Sequence, residues 1–376
     1  MEFESREEGL NDADISPIMK GTEADKAADY ANYFCSYAYL YHQKQMLMDH
    51  NRMRAYYSAI MQNKSMFEGK IVLDVGTGSG VLAMWAAQAG AAKVYAVEFT
   101  DMAIHARNLV ESNGLSDIIE VIQSSVEDLV LPHKVDIIVS EWMGYILLRE
   151  SMLDSVIRAR NKWLKPDGTL FPSHATMYWS MISFEEDRES KVTEYCNSMN
   201  DWKNFSNEMK SFYNIEMGSL ENQYHKEQAD YYIYSALWTE LKPEHVIGQP
   251  VIIKRLDLNT CTLKDCEGVD RQDFSVIVPF PVQVSGFAGW FTVDFAGSSS
   301  SPVSKRVTLT TGPEGGYTHW GQQVFYLKDE LNCSSNNVIS GSLEMVRQQK
   351  NKRLYELNLS YRLNEDPSIH SKYEIP

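Results

Sequence analysis

The strongest constraint on the fold is a glycine-rich run that follows a short β-branched segment and precedes a helical pattern. It reads DVGTGSG over residues 74–80 and comes directly after the apolar run at residues 71–73. Glycines at a strand-to-helix turn let the backbone approach a ligand that a side chain would block. A dinucleotide fingerprint needs G-x-G-x-x-G, whereas these glycines stand at positions 76, 78 and 80 and position 81 is Val. The spacing therefore disfavours NAD as the ligand of this loop. The alternative to a ligand-binding loop is a tight strand-to-helix turn that binds nothing.

Apolar runs and helical patterns alternate around this loop and predict a parallel sheet. The runs between Lys70 and Phe171 are β-branched and lack polar alternation, which is typical of strands covered on both faces in a doubly wound α/β sheet. The predicted strands are residues 71–75, 93–97, 118–122 and 135–139. The predicted helices are residues 81–90, a segment that ends at Gly114, and residues 150–164, closed by a turn at 165–168.

The second half of the chain changes to two-residue alternation, which predicts an antiparallel barrel or sandwich. The alternating segments are residues 276–284, 290–295, 307–310, 323–327, 338–345 and 354–361. A chain of 376 residues is long enough for two domains. We therefore predict an α/β domain at 30–172 and a β domain at 173–376.

Three further segments have a distinct composition. Residues 185–232 are polar, aromatic and helical in pattern, and this insertion is too long for an ordinary loop. Residues 1–29 hold nine acids and three bases, and we interpret them as a disordered acidic tail. Residues 347–353 form a basic hairpin end, which we expect to be solvated.

Charge and cysteine content exclude several classes of partner. Acidic residues outnumber basic ones by 51 to 35, for a net charge of −16, so the field of the protein repels phosphate backbones and attracts cationic proteins. We expect no direct nucleic-acid partner. No apolar stretch approaches the ~18 residues that span a bilayer, so no membrane partner is expected either.

The cysteines are odd in number, and we interpret Cys261 and Cys266 as buried thiols, because no second ligand pair stands at zinc spacing. We expect a protein of the cytoplasm and/or nucleus that is not secreted and binds no metal.

An acidic residue follows the glycine-rich loop at the distance expected of a ribose ligand. Glu98 ends the next predicted strand, 24 positions after Asp74, where a carboxylate can accept hydrogen bonds from both ribose hydroxyls. An adenosine-bearing ligand without a pyrophosphate fits best. Glu127 follows the third predicted strand and would lie on the adenine side of the same crevice.

Two glutamates follow the fourth predicted strand. The segment reads SEWMGYILLRESM over residues 140–152, so that Glu141 and Glu150 flank a turn-forming Gly144. The carboxyl ends of parallel strands meet at one edge, so both side chains can converge on a ligand there. In the alternative interpretation Glu141 is solvated and Glu150 caps the next helix together with Ser151.

An aromatic stripe precedes the α/β pattern. Tyr33, Phe34, Tyr37 and Tyr41 recur at spacings of three and four, which places them on one helical face. On spacing alone this stripe predicts core packing.

From Tyr30 onward, nearly the whole chain resembles the protein arginine methyltransferases, and it is most similar to type I enzymes of the plant-specific branch. The resemblance rests on the motifs YFCSY at 33–37, DVGTGSG at 74–80, Glu98, the two-glutamate segment at 140–152, and THW at 318–320. It implies a class I, Rossmann-like S-adenosylmethionine-dependent methyltransferase domain. An antiparallel β-barrel domain would follow, with an inserted helical dimerisation arm at 185–232.

The resemblance also implies the cofactor and its contacts. The cofactor would be S-adenosyl-L-methionine, with S-adenosyl-L-homocysteine as its product and no metal. The N-terminal aromatic helix would fold over it, and Arg52 matches the contact to the methionyl carboxylate. The cofactor-binding residues so expected are Tyr33, Tyr37, Met46, Arg52, Asp74, Gly76, Gly78, Glu98 and Glu127.

Arginine chemistry explains why such a site would contain two carboxylates. A guanidinium is planar and cationic, and paired carboxylates match its hydrogen-bond donors. Glu141 and Glu150 would draw positive charge toward the nitrogens that do not attack, which leaves the attacking nitrogen more nucleophilic. The resemblance further implies that His319 pairs with Asp49 and passes on the released proton. Substrate contacts are expected from Met152 and Trp320.

The resemblance predicts a protein arginine N-methyltransferase that forms mono- and asymmetric dimethylarginine, since Met46 and Met152 match thioether positions that accompany this product. Its partners would be basic Arg/Gly-rich proteins or histone tails, and a second copy bound head to tail through the arm. The chain departs from the family pattern at Gln43, at Arg149, where relatives often carry an aromatic residue, and in its longer insertion. The alternatives are a methyltransferase for another acceptor and a catalytically inactive scaffold of the same fold. A nucleobase acceptor is disfavoured, because the segment reads Ser-Glu-Trp-Met rather than Asn-Pro-Pro-Tyr.

Overall fold

The computed structural model describes residues 37–376. The predicted tail at 1–29 and the aromatic positions Tyr33 and Phe34 lie outside the described residues. The helices are α1 (Leu40–Met48), α2 (His50–Met61), α3 (Lys64–Phe67), α4 (Val81–Gln88), α5 (Met102–Ser112), α6 (Leu153–Trp163), α7 (Glu185–Tyr213) and α8 (Glu221–Tyr232). None of these helices has the length and apolar character that a bilayer crossing requires.

The strands fall into an N-terminal and a C-terminal group. The first group is β1 (Ile71–Val75), β2 (Lys93–Glu98), β3 (Ile119–Gln123), β4 (Val135–Ser140) and β5 (Leu164–Phe171). The second group is β6 (His174–Ile182), β7 (Leu237–Thr239), β8 (Val246–Asp257), β9 (Gly268–Ile277), β10 (Val282–Gly297), β11 (Pro302–Thr310), β12 (Gln322–Cys333), β13 (Val338–Arg347), β14 (Tyr355–Leu363) and β15 (Ile369–Ile375).

The first five strands form a parallel sheet in the order β3-β2-β1-β4-β5. Leu73 at its centre lies opposite Tyr95 of β2 and Ile138 of β4, and all three side chains are buried. The sheet order reverses between β1 and β4, so the loops after these two strands open into one crevice. The predicted α/β fold is confirmed, and its topology brings the glycine-rich loop and the two-glutamate segment together.

Two local predictions in this domain are wrong. The helix predicted at 150–164 begins at Leu153, because Glu150 and Ser151 have φ angles of 78° and 58°, which a right-handed helix does not contain. The turn predicted at 165–168 lies within β5, which pairs with β4 through a register irregularity. Lys165 Nζ lies 2.7 Å from Asp136 Oδ1, and this contact fastens the start of β5 to its neighbour.

Two antiparallel sheets form the barrel domain, which confirms the second half of the fold prediction. One sheet has the order β7-β12-β10-β6-β8 with β11 paired to β10, and the other has the order β15-β14-β13-β9. Phe287 of β10 contacts Phe274 of β9 and Tyr361 of β14, with ring centroids 5.5 and 5.8 Å apart. The strand predicted at 276–284 is two strands, because the chain turns between β9 and β10.

The insertion at 185–232 is a helical hairpin made of α7 and α8. Neither helix contains a buried residue. Trp202 stacks on Tyr224 at a centroid distance of 4.4 Å, and Ser198 Oγ lies 2.8 Å from the hydroxyl of the same tyrosine. Phe212 and Tyr213, at the end of α7, are 76% and 68% exposed. The hairpin therefore packs mainly on itself and presents aromatic side chains to its surroundings.

The basic hairpin end at 347–353 is solvated only in part: Gln349 and Lys350 at its tip are exposed, whereas Arg347 and Arg353 are largely buried, contrary to the sequence-based expectation. Arg347 and Asp154 form a two-pronged ion pair at 2.9 and 2.7 Å, and their side chains are only 6% and 3% exposed. Arg347 Nε also donates to the Tyr355 hydroxyl at 3.0 Å. The ion pair of Arg347 and Asp154 therefore connects β13 of the barrel to the first turn of α6.

We expect Arg347→Leu to lower the free energy of unfolding by about 3–5 kcal/mol, because it leaves the Asp154 carboxylate buried without its counter-ion. Arg271→Leu is the matched control, since the side chains of Arg271 and Asp273 are 73% and 85% exposed and exposed pairs contribute little. Urea unfolding of both variants measures the difference. Equal losses in the two variants would contradict this interpretation of the buried pair.

Candidate active site

The glycine-rich loop after β1 is in close contact with two other segments. Gly76 and Gly78 have φ angles of 69° and 54°. A Cβ atom on Gly78 would lie 2.9 Å from Gln43 Oε1 of α1, and one on Gly76 would collide with the methyl group of Met152. The positive φ angles favour glycine at both positions, and the missing side chains leave space that the ends of the Gln43 and Met152 side chains occupy.

Asp74, at the start of this loop, is fully buried. Its Oδ2 accepts a 2.6 Å hydrogen bond from the Thr77 hydroxyl, whereas Oδ1 has no partner among the described residues. Burial raises the pKa of Asp74 to about 7, and the Glu98 charge adds to the increase, against the smaller opposing effects of the Thr77 hydrogen bond and the nearby backbone N–H of Ala83. A buried acceptor without a partner beside a glycine cradle fits a ligand that donates a hydrogen bond.

Glu98 is fixed at the end of β2 by three protein donors. Its Oε2 accepts from Gly78 N at 3.0 Å, and its Oε1 accepts from the backbone and hydroxyl of Thr100 at 2.9 and 2.7 Å. Oε1 already accepts two hydrogen bonds and Oε2 accepts one, so one lone pair on Oε2 remains for a further donor. Glu127 accepts a 2.9 Å bond from Ser155 Oγ of α6. Both predicted contacts of an adenosine group lie at the carboxyl edge of the sheet.

Glu141 follows β4 and pairs with Arg52 of α2. Arg52 Nε and Nη2 lie 3.0 and 2.9 Å from Glu141 Oε2, and Met143 N donates to Oε1 at 3.2 Å. The two charged side chains are only 12% and 9% exposed. Arg52 Nη1 also donates to the Met46 carbonyl at 3.2 Å. The sequence analysis assigned Arg52 to the cofactor only, and nothing in the local pattern indicates this ion pair across 89 residues.

The Glu150 carboxylate contacts a donor from the N-terminal part of the chain and a donor from its own segment. Its Oε2 accepts a 2.8 Å hydrogen bond from the Tyr37 hydroxyl, and its Oε1 lies 3.3 Å from Arg149 Nη1. Burial raises the pKa of Glu150; Arg149 and Tyr37 act in the opposite direction, and Glu141 adds to the increase. Tyr37, predicted as a cofactor contact, therefore bonds to the predicted catalytic carboxylate in this structure.

The segment between the two glutamates has an unusual backbone. Ile146 and Leu147 have φ angles of 46° and 71°, in addition to the positive values at Glu150 and Ser151. Side chains other than glycine rarely adopt such angles, so surrounding contacts must hold them. Gly144 and Leu147 exchange two 3.0 Å backbone hydrogen bonds within the loop.

The β13–β14 hairpin of the barrel forms hydrogen bonds with the end of this two-glutamate segment. Glu150 N donates to the Arg353 carbonyl at 2.8 Å, and Arg353 Nη1 donates to the Glu150 carbonyl at 2.7 Å. Ser151 Oγ donates to the Lys352 carbonyl at 2.9 Å. The barrel domain thereby fixes the backbone of Glu150, a role for which the sequence analysis found no signal.

Asp49 and His319 form the predicted pair. Asp49 Oδ1 caps α2 by accepting a hydrogen bond from Arg52 N at 2.9 Å. Asp49 Oδ2 accepts a hydrogen bond from the backbone N of His319 and lies 2.8 Å from Nδ1 of the same histidine. Burial raises the pKa of Asp49, but the hydrogen bonds from His319 and Arg52 outweigh it, and the net shift is downward. Asp49 is therefore an ionised acceptor that orients the imidazole.

The remaining predicted site residues lie around these pairs. Trp320 is buried, and its Nε1 donates to the Met143 carbonyl at 2.8 Å, so it supports the two-glutamate segment from behind. Met46 and Met152 are partly buried. Tyr33 lies outside the described residues. Within residues 37–376 no three His, Cys, Asp or Glu side chains are grouped to hold a metal ion.

A parallel sheet with a glycine cradle, an acid after β2 and a following β-barrel defines a Rossmann-like methyltransferase with an attached barrel. The family model of the arginine methyltransferase oligomerization subdomain matches residues 173–366, and that of ribosomal protein L11 methyltransferase matches residues 50–216. The chain is 50% identical to protein arginine N-methyltransferase PRMT10 of Arabidopsis thaliana over 342 residues, which cover 91% of this chain and 89% of the relative. It is also 50% identical to PRMT10 of Oryza sativa subsp. japonica over 354 residues, 93% of each chain.

Solved structures agree with these relatives. The crystal structure of Arabidopsis thaliana protein arginine methyltransferase 10 superposes with a TM-score of 0.89 at 47% identity, over 92% of this chain and all of that one. The Trypanosoma brucei PRMT1 enzyme-prozyme complex with AdoHcy superposes with a TM-score of 0.77 at 28% identity, over 91% of this chain and all of that one. The chain belongs to the protein arginine methyltransferase family, and within it to the plant-like branch. The resemblance inferred from the sequence motifs is confirmed.

The pKa of Asp74 is expected to make stability depend on pH. Between its ordinary value of 3.8 and the folded value of about 7, the folded protein keeps a proton that the unfolded chain releases. The stability that this proton contributes is therefore lost as the pH rises toward 7. Asp74→Asn does not titrate, so its free energy of unfolding relative to wild type should increase by about 1–3 kcal/mol from about pH 5 to about pH 8. Urea unfolding at both pH values measures this, and a difference that does not change with pH would contradict the assignment.

Proposed function

We propose that this protein arginine methyltransferase is a type I enzyme, which forms monomethylarginine and asymmetric dimethylarginine. It transfers methyl groups from S-adenosylmethionine to guanidino nitrogens of arginine in other proteins. The observation that supports this most strongly is that Glu141 and Glu150, two carboxylates whose side chains are only 9% and 15% exposed, lie on one segment beside the glycine cradle.

The residues of the crevice fit S-adenosylmethionine. When bound, this cofactor supplies the methyl group from a positively charged sulfur. Gly76 and Gly78 would let the backbone approach the ligand, and the remaining lone pair of Glu98 Oε2 would accept a hydrogen bond from a ribose hydroxyl. Asp74 Oδ1, which lacks a partner among the described residues, would accept a further ligand donor. Glu127 would lie at the adenine side.

The two glutamates would bind the guanidinium of the substrate. In-line methyl transfer needs a nitrogen with an available lone pair, held close to the methyl group. Glu141 and Glu150 would engage the nitrogens that do not attack and draw positive charge toward them. Arg52 occupies only Oε2 of Glu141 with its Nε and Nη2, so Glu141 Oε1 keeps a free lone pair for the substrate.

His319 would take part in removing the proton that the attacking nitrogen loses. Its Nδ1 faces the ionised Asp49 at 2.8 Å, which leaves Nε2 as the nitrogen that can accept a proton. A carboxylate behind the imidazole stabilises the cation formed in this step.

The second methyl group is proposed to go to the same nitrogen as the first. The methyl group of Met152 packs against the glycine loop, and Met46, whose backbone carbonyl accepts a hydrogen bond from Arg52, is the second methionine of this region. Flexible thioethers adapt to irregular spaces, so they can accommodate a nitrogen that already bears a methyl group.

Mass spectrometry of matched peptides tests this function directly. An Arg/Gly-rich peptide and its Arg-to-Lys counterpart are incubated with protein and labelled S-adenosylmethionine. We expect label on arginine only, with fragment ions of asymmetric dimethylarginine. Symmetric dimethylarginine would refute the type I assignment, label on lysine would indicate another acceptor, and no label on any peptide would support an inactive scaffold.

Glu150→Gln is expected to lower turnover at least about a hundredfold, because the lost charge acts most strongly in the transition state. Cofactor affinity, measured by calorimetry, should stay nearly unchanged. Glu344→Gln is the matched control, since Glu344 lies on β13 of the barrel and contacts Asn358. Near-normal turnover of the Glu150 variant would remove this residue from the mechanism.

Oligomerisation is a property of this fold, because residues 173–366 match the oligomerization subdomain of the family. We propose more specifically a head-to-tail homodimer in which the arm at 185–232 of one copy reaches the α/β domain of the other. The exposed Phe212 and Tyr213 at the end of α7 support this role, because aromatic residues are enriched in interfaces.

Deleting residues 199–223 and joining Ser198 to Tyr224 by a short linker should give monomers with weakened methylation. These two side chains already lie 2.8 Å apart, and the base of the arm keeps its contacts, such as the 2.6 Å bond from Tyr326 to Asp187. Light scattering and a methylation assay measure the outcome. A monomer with full activity would contradict the head-to-tail dimer.

Charge supports the proposed substrates, and the free thiols support the proposed location in the cytoplasm and/or nucleus. A net charge of −16 favours cationic Arg/Gly-rich proteins and histone tails as partners. Cys196, Cys261, Cys266 and Cys333 are free thiols, which is the usual state in the cytoplasm and nucleus.

A further inference from the structure

Arg149 provides a cation beside Glu150 that the proposed mechanism does not use. Its Nη1 lies 3.3 Å from Glu150 Oε1, and the side chains of Arg149 and Glu150 are 23% and 15% exposed. We propose that Arg149 is a positioning residue: it is a fixed cation that keeps the Glu150 carboxylate charged and oriented before the substrate guanidinium arrives. This inference rests on the proposed role of Glu150 in catalysis.

Contacts other than Glu150 hold Arg149 in place. Its guanidinium carbon lies 5.3 Å from the centre of the Tyr145 ring, within the range of a cation–π contact. Its Nε donates to the carbonyl of Pro376, just after β15. The Tyr145 ring and the residue after β15 thus contact Arg149 independently of Glu150. Arg149 differs in this respect from a mobile side chain that would merely compete with the substrate.

Glu150 needs such a partner because it is buried. Burial raises its pKa, and the neighbouring Glu141 acts in the same direction. The groups that oppose this are Arg149 on the same segment, the hydroxyl of Tyr37, which precedes α1, and Arg353 from the β13–β14 hairpin. A protonated Glu150 would have no charge with which to bind a guanidinium.

The contact between Arg149 and Glu150 leaves lone pairs of the Glu150 carboxylate free for the substrate. Arg149 meets only Oε1, at the long distance of 3.3 Å, and Tyr37 meets only Oε2, at 2.8 Å. Each oxygen keeps a second lone pair. Arg149 can therefore stay in place when the substrate guanidinium binds, and its effect on Glu150 persists through the reaction.

The test compares the pH dependence of kcat/KM for wild type, Arg149→Gln and Arg149→Lys with an arginine peptide, from about pH 5 to about pH 9. The Gln variant lacks the cation, so we expect its acidic limb to move upward by about one pH unit or more. The ratio of wild-type to variant kcat/KM should then be at least about tenfold at the acidic end and fall toward one at high pH, where Glu150 is ionised in both proteins. The Lys variant keeps the charge, and its acidic limb should stay near that of wild type.

This ratio separates electrostatic positioning from a structural role. Loss of packing alone would lower kcat/KM by the same factor at every pH, and such a result would overturn the proposal. If Arg149→Gln does not fold, Arg149→Tyr replaces it, because it also lacks the charge and can stack on Tyr145; the same shift is expected.

Glu150→Gln, measured beside these variants, separates the proposed role of Glu150 from that of Arg149. If that variant keeps its turnover, the proposed function of Glu150 fails. If it is inactive while the Arg149→Gln ratio does not change with pH, only the role of Arg149 fails.

Discussion

The site depends on the burial of two carboxylates in one strained segment. Buried carboxylates are costly unless donors surround them, and here the donors come from separate parts of the chain. Arg52 of α2 pairs with Glu141, and the Tyr37 hydroxyl and Arg149 meet Glu150. The hydrogen bonds between Gly144 and Leu147 hold the middle of the segment, and the barrel hairpin supplies the backbone bonds at Glu150. The two domains and the N-terminal helices must therefore assemble before the site exists.

Much of the fold could be predicted from the sequence because its signals are local. A β-branched run followed by a glycine-rich turn predicts β1 and the start of α4, and two-residue alternation predicts the strands of the barrel. The sequence also indicated that Glu141 and Glu150 lie at one edge, since both follow β4. It failed at the start of α6, because the positive φ angles of Glu150 and Ser151 are imposed by contacts with the distant β13–β14 hairpin.

The partners of the site residues could not be predicted for the same physical reason. Arg52 and Glu141 are 89 positions apart, and Arg347 and Asp154 are 193 positions apart. A basic residue at a hairpin end is usually solvated, and nothing within residues 347–353 indicates that Arg347 is buried against α6. The pair of Asp49 and His319 was expected only through the family resemblance. Charge-pairing over such separations is decided by the tertiary fold, which local periodicity does not encode.

The central claim is that both carboxylates bind the substrate guanidinium at the same time. A crystal structure with S-adenosylhomocysteine and an arginine peptide tests it most directly. We predict guanidinium nitrogens within about 3.2 Å of an oxygen of Glu141 and of an oxygen of Glu150, with one nitrogen free and directed at the sulfur. An arginine bound by only one of these glutamates, or turned away from the sulfur, would contradict the claim.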